Sequence, residues 1–156
     1  MFLSRSTQLN DKLMVDVLYV EDNSNDADIF ARLIRKLNRP ITYAVVNSGS
    51  EAIEYLTGTG RHEQQKVVLP KLVLMDLNLD GMSGFEVIEQ TRAFARTRHI
   101  PIIAFSTSDN PTDIKLAYDA GINAYVVKPG SYQETGEVLK KLCDFWLGDT
   151  TRTNHK

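Results

Sequence analysis

Leu72-Val73-Leu74-Met75-Asp76-Leu77-Asn78-Leu79 reads as a short apolar strand that ends abruptly in an acid. Four consecutive apolar residues without alternation suit a strand covered on both faces, because neither face meets water. An acid just past such a strand lies at its carboxyl edge. The arrangement recurs on either side. Val15-Asp16-Val17-Leu18-Tyr19-Val20 is short and β-branched, and Glu21-Asp22 follow it. Pro101-Ile102-Ile103-Ala104-Phe105 leads into Ser106-Thr107, and Ala124-Tyr125-Val126-Val127 leads into Lys128-Pro129. Ile41 to Val46 supplies one more strand, which makes five.

Segments of helical period separate these strands. Ile29, Phe30, Leu33, Ile34 and Leu37 recur at three- and four-residue intervals, with Pro40 just beyond. Ser48-Gly49-Ser50-Glu51 is a capping box that opens a helix through Ala52, Ile53, Tyr55 and Leu56, and Gly58 is placed to close it. A helix runs through Phe85, Val87, Ile88, Thr91 and Phe94. Another opens at Asn110-Pro111 and stops at Gly121, and a last one spans about Gln133 to Leu147. Strict alternation of strand and helix predicts an α/β fold: a (βα)₅, doubly wound, parallel five-stranded sheet with helices on both faces.

Composition sets the class. The chain has 156 residues, the length of one domain, and 42% of them are hydrophobic. Lys and Arg number 18 against 20 Asp and Glu, a net charge of −2, which makes no case for a nucleic-acid or anionic-membrane surface. No apolar run approaches the ~18 residues of a membrane helix. MFLSRSTQLNDKL lacks a secretory apolar block, and the single cysteine, Cys143, forms no internal disulfide; both point to the cytoplasm. The expected layout is a flexible N-terminal tail over 1–12, one domain over 13–148 and a C-terminal tail over 149–156, with a polar connection from Gly58 to Lys66.

In an open parallel sheet the carboxyl edge is where ligands bind. Glu21, Asp22, Asp76, Ser106 or Thr107, and Lys128 all fall there, although more than 100 residues of sequence separate the first from the last. Three clustered carboxylates repel one another and call for a hard divalent cation, Mg²⁺ or Mn²⁺. An ionised carboxylate beside that cation needs no general base to attack a phosphoryl group. An ammonium and a hydroxyl then neutralise the equatorial oxygens, and the inferred product is an aspartyl phosphate.

Over about Leu13 to Leu147 the chain resembles the receiver domain of two-component response regulators, the CheY-like family. Val20-Glu21-Asp22-Asn23 is similar to the family's acidic pair. Met75-Asp76-Leu77-Asn78-Leu79 is similar to its phosphoacceptor segment, and Phe105-Ser106-Thr107 to its switch hydroxyl. Tyr125-Val126-Val127-Lys128-Pro129 is similar to its aromatic switch followed by Lys-Pro. The resemblance implies a flavodoxin-like sheet of strand order 2-1-3-4-5. It also implies phosphorylation of Asp76, with Mg²⁺ held by Asp22, Asp76 and the Asn78 backbone carbonyl, and by Glu21 through water. Lys128 and Ser106, with Thr107 adjacent, would serve the phosphoryl group. Ser106 and Tyr125 would be the switch, and Lys128-Pro129 would be a cis bond. Tyr125 is open to a second reading, as a core residue. Two departures stand out: Glu21 where Asp is commoner, and Asp80 where the family usually has proline.

Tyr55-Leu56 before the long loop, Leu77-Asn78-Leu79, Ser106-Thr107-Ser108 and Phe145-Trp146-Leu147 narrow the likeness to stand-alone regulators that serve phytochrome-type histidine kinases. That likeness implies a sensor histidine kinase as partner and a homodimer. At 100° per residue, Phe145, Val138 and Leu142 share one sector of the last helix and are expected on the sheet. Trp146, Leu139, Cys143 and Leu147 widen the apolar arc beyond one packing face, so the dimer is expected on this helix and its neighbours, the other reading being that the N-terminal tail (Phe2, Leu3, Leu9) folds over the arc. Two rival readings are a Mg²⁺-dependent phosphohydrolase with an aspartyl nucleophile and a degenerate receiver that only binds. The first wants an acid two residues after Asp76, where Asn78 stands; the intact acids and Lys128 argue against the second. His62, His99 and His155 share no motif and are expected at the surface.

Overall fold

A computed structural model of the chain describes residues 2–3, 15–59 and 69–148. Most of the 58–66 connection, His62, His155 and the 149–156 tail lie outside the described residues. In chain order the elements are β1 (Phe2–Leu3), β2 (Val17–Val20), α1 (Ser24–Arg35), β3 (Tyr43–Val46), α2 (Gly49–Thr57) and β4 (Leu72–Met75). They continue with α3 (Gly84–Ala93), β5 (Ile102–Ser106), α4 (Pro111–Ala120), β6 (Ala124–Val127) and α5 (Tyr132–Leu147).

The sheet runs β1-β3-β2-β4-β5-β6. Its five parallel strands, counted alone, have the expected order 2-1-3-4-5. The sixth strand corrects the expected tail over residues 1–12: Phe2 pairs antiparallel with Val45, and Leu3 with Ala44. β3 would otherwise present a row of unpaired backbone groups, and a two-residue strand suffices to cover part of that edge. Residues 4–12 lie outside the described residues.

Period-2 geometry divides the core. Leu18, Val20, Ala44, Val46, Val73 and Met75 face one way and pack with Ala52, Leu56, Val87, Ile88 and Ala117 of α2, α3 and α4. Val17, Tyr19, Tyr43, Leu72, Leu74 and Phe105 face the other way, against Phe30, Ile34, Leu139 and Cys143 of α1 and α5. Each fully buried large side chain contributes roughly 1.5–3 kcal/mol. Side-chain caps start the helices: Asn23, Ser48, Ser83, Asn110 and Ser131 each accept a backbone N–H of the first turn. Ser83 and Glu86 form a reciprocal capping box that the sequence reading overlooked. Gly58 at φ 71° ends α2 as expected.

The last helix is turned from its expected setting. Leu139, Leu142 and Cys143 are buried, whereas Phe145, expected on the sheet, is 74% exposed. Leu142, Trp146, Leu139 and Cys143 lie between about 40° and 140° on the wheel with Val138 at zero, and Phe145 falls on the far side of Val138. The sheet takes the middle of the apolar arc and leaves its edge in water. Trp146 is half-buried and meets the Phe145 ring edge-on at 5.0 Å.

Candidate functional site

Strand register aligns the polar residues at one edge. Val20 pairs with both Val46 and Met75, and Met75 with Ala104. Backbone hydrogen bonds extend the ladder into the loops: Glu21 N–H to the Val46 carbonyl (3.0 Å), Asp76 N–H to Val20 (3.1 Å) and Lys128 N–H to Ser106 (2.7 Å). The first residue past each of these strands is therefore held as firmly as the strand itself.

Glu21, Asp22 and Asp76 each place an oxygen so that all three lie within 4.8 Å of one another. Glu21 and Asp76 are buried, and Asp22 is half-buried. Asp76 Oδ1 accepts the Asn78 N–H at 3.1 Å, and Asp22 Oδ2 accepts the Asp80 N–H at 3.0 Å. Glu21 Oε2 accepts the Asn23 N–H at 3.1 Å. Its Oε1 accepts from the Tyr19 hydroxyl at 2.9 Å and from Lys128 Nζ at 2.6 Å. Lys128 Nζ also donates to Asp26 Oδ2 at 3.1 Å and stands 3.8 Å from Asp76 Oδ2. The ammonium lies 5.7 Å from the centre of the Phe105 ring.

The charges respond to this crowding. Burial, more than any other influence, pushes the Glu21 carboxyl up to about 7; the Lys128 hydrogen bond opposes the rise and neighbouring Asp76 adds to it. Burial works against the Lys128 ammonium, but Glu21, Asp76 and Asp26 outweigh it and hold its pKa above the ordinary lysine value. Burial first, and the negative charges of Glu21 and Asp76 next, drive the Tyr19 phenol far above its usual range, so it serves as a fixed donor. Three oxygen donors converging beside an ammonium suit a hard divalent cation, and the excess negative charge is what such an ion relieves.

Ser106 is fully buried at the end of β5, and its Oγ accepts the Ser108 N–H at 3.2 Å. Thr107 is exposed and lines a cleft of about 210 Å³ together with Asp26, Lys128, Gly130 and Tyr132. The Tyr125 ring packs on the core between the sheet and α2–α4, while its hydroxyl donates to the Ser108 carbonyl at 2.8 Å. Tyr125 is half-buried, so its ring rests against the core while its hydroxyl tethers the loop after β5. The expected cis bond is absent: no cis peptide occurs among the described residues, and Lys128–Pro129 takes the lower-energy trans form. His99 is exposed.

Tyr19, Asp26 and the Asp80 amide were missed in the sequence. Tyr19 was legible in principle. A tyrosine two residues before an acid on a doubly covered strand shares its face, and its buried hydroxyl needs a partner.

A family model for the response regulator receiver domain matches residues 17–140. The chain belongs to this family. Among curated relatives, the probable methanogenesis regulatory protein FilR2 of Methanothrix harundinacea is 32% identical over 132 residues, covering 85% of this chain and 83% of that one. The crystal structure of the phosphorylated cyanobacterial phytochrome response regulator RcpA superposes with a TM-score of 0.80 at 30% identity, over 86% of this receiver and 95% of that chain. The Mn²⁺-bound form of response regulator Rcp1, a protein of Synechocystis sp., superposes with a TM-score of 0.77 at 25% identity, over 85% and 94%. The chain is thus a receiver domain of two-component signalling, a class that works with histidine kinases. No helix among its described residues is long and apolar enough to cross a membrane.

Proposed function

We propose that this receiver accepts a phosphoryl group from a kinase phosphohistidine on Asp76. The carrying observation is the convergence of Glu21, Asp22 and Asp76 within 4.8 Å, with Lys128 Nζ 3.8 Å from Asp76 Oδ2. An Asp76 oxygen bonds to phosphorus as the donor's N–P bond breaks, and water later cleaves the acyl phosphate. Asp22, Asp76 and the Asn78 carbonyl would hold Mg²⁺, or Mn²⁺, the ion bound by Rcp1, with Glu21 acting through water. The ion supplies charge neutralisation at the transferring oxygens. Lys128 pairs with those oxygens, Ser106 donates its hydroxyl, and Thr107 shapes the entrance. Ser106 and Tyr125 are the switch, since both engage Ser108 in the loop that leads to α4. Asn78, rather than an acid, stands two residues after Asp76, which favours this reading over a phosphohydrolase. Asp76→Asn is expected to take no label from acetyl phosphate or a kinase, and labelling at the parent's rate would overturn the assignment.

The likeness to the phytochrome response regulator RcpA and to a response regulator of red-light signalling supports a phytochrome-type histidine kinase as the partner. We propose a cytoplasmic location, which the lone, buried Cys143 and the partner class support. We place a homodimer contact on α5, where Phe145 is 74% exposed beside Trp146. Phe145→Glu should turn a dimeric parent monomeric in light scattering at micromolar concentration. A parent that stays monomeric with and without phosphorylation refutes this contact.

A further inference from the structure

Lys128 carries one ammonium among three carboxylates and is bound to the wrong two of them for phosphoryl chemistry. It donates to Glu21 at 2.6 Å and Asp26 at 3.1 Å, while Asp76, at 3.8 Å, lies beyond hydrogen-bond length. The Lys128 side chain is only 11% exposed, so its ammonium is largely taken from water and needs these partners. Glu21 is itself spoken for by the Tyr19 hydroxyl and the Asn23 N–H. Asp26 differs. It lies outside the acidic trio, on the first turn of α1, where the Asn23 cap bonds its N–H at 3.0 Å. Its carboxylate is 39% exposed and, among the described residues, bonds to no side chain other than Lys128. The pair ties α1 to the loop after β6 across the cleft that Thr107 lines.

We propose that Asp26 is a positioning residue that parks Lys128 in the unphosphorylated receiver and competes with the phosphoryl group for it. The idea rests on Asp76 being the acceptor. Once a phosphoryl group sits on Asp76, its oxygens draw the ammonium inward, and the Asp26 contact must lengthen or break. Asp26 therefore opposes the phosphorylated state, and its release frees α1 from the β6–α5 loop in the same step. A lysine held by Glu21 alone would have no such opposition.

Beryllofluoride, a phosphoryl mimic, tests this in four proteins with Mg²⁺ present: parent, Asp26→Asn, Lys128→Ala and the double variant. Asparagine keeps the size of the side chain and removes its charge. Asp26→Asn should tighten beryllofluoride binding about two- to fivefold, the range for a partly exposed ion pair. It should also shift the ¹⁹F resonances of the bound mimic, because the ammonium engages fluorine more fully. Both effects should vanish in the Lys128→Ala background. Equal tightening in both backgrounds would mean simple loss of negative charge, and unchanged binding would mean no competition; either overturns the proposal. Asp76→Asn reports separately on the acceptor: if it binds beryllofluoride as the parent does, the assignment of Asp76 fails instead.

Discussion

Replacing Gly84 by alanine should move Asp76, the proposed phosphoacceptor. Gly84 opens α3 directly after the Ser83 cap and is buried against the loop that carries Asp76. A Cβ there would fall 2.5 Å from the Asp76 carbonyl oxygen, 2.8 Å from Leu77 Cα and 3.3 Å from the Asp76 carbonyl carbon. All three atoms are backbone, and Asp76 is anchored to Val20 by its own N–H, so nothing near can rotate aside. Either α3 or the acceptor loop must shift. Overpacking of this kind costs about 1–3 kcal/mol, and alanine's helix propensity, at most about 1 kcal/mol better than glycine's, offsets little of it at a first-turn position. A net loss of about 2 kcal/mol lowers the Tm of a domain this size by roughly 4–8 °C. Displacing a reacting group by a fraction of an ångström should slow phosphorylation by acetyl phosphate about tenfold or more. Gly130→Ala is the control: a Cβ there meets nothing within 4 Å among the described residues, so both values should stay near the parent's. Thermal unfolding followed by circular dichroism and a phosphorylation time course measure the two effects. If Gly84→Ala matches Gly130→Ala in both, the close approach of α3 does not position Asp76.

Asp80→Pro deletes the N–H that holds Asp22 Oδ2 at 3.0 Å. Calorimetry should then show roughly tenfold weaker Mg²⁺ binding, with Asp80→Ala, which keeps the N–H, near the parent; equal affinities in the two variants would show the amide to be idle. The Glu21 carboxyl, raised by burial from 4.5 to about 7, adds a pH dependence with a definite sign. Its neutral form is favoured by the fold, so in the metal-free protein its contribution to stability is complete below pH 4.5 and is lost as the pH rises through about 7. Mg²⁺ needs the ionised form, so its apparent affinity should be about tenfold weaker at pH 6 than at pH 8, and the rise in Tm on adding Mg²⁺ should grow over that interval. A rise of constant size would contradict the Glu21 assignment.

The features legible in the sequence are those whose physics is local or repeated. Doubly covered strands cannot alternate, so Val17–Val20 and Leu72–Met75 announce themselves as unbroken apolar runs, and the residue that follows each is placed at the sheet edge by topology alone. What escaped depends on contacts between distant segments. Phe2–Leu3 has too few residues for any period, and its strand exists because β3 leaves an edge to cover. Phe145 was misplaced because an apolar arc on a helix wheel gives its own width but not which part of it meets the sheet. Asp26 and the Asp80 amide act on Lys128 and Asp22 across 102 and 58 residues of chain, and nothing in their immediate neighbours marks them. Glu21 ties the two kinds together. The longer acid at that position looked like a mild departure in the sequence, yet its extra methylene carries the carboxylate to the Tyr19 hydroxyl and Lys128 ammonium at once. The family's acidic pair is therefore kept in charge but rebuilt in reach. With Asp26 and Asp76 on its other sides, Lys128 stands among three acids, and the proposed exchange of Asp26 for a phosphoryl group on Asp76 is the adjustable element of the site.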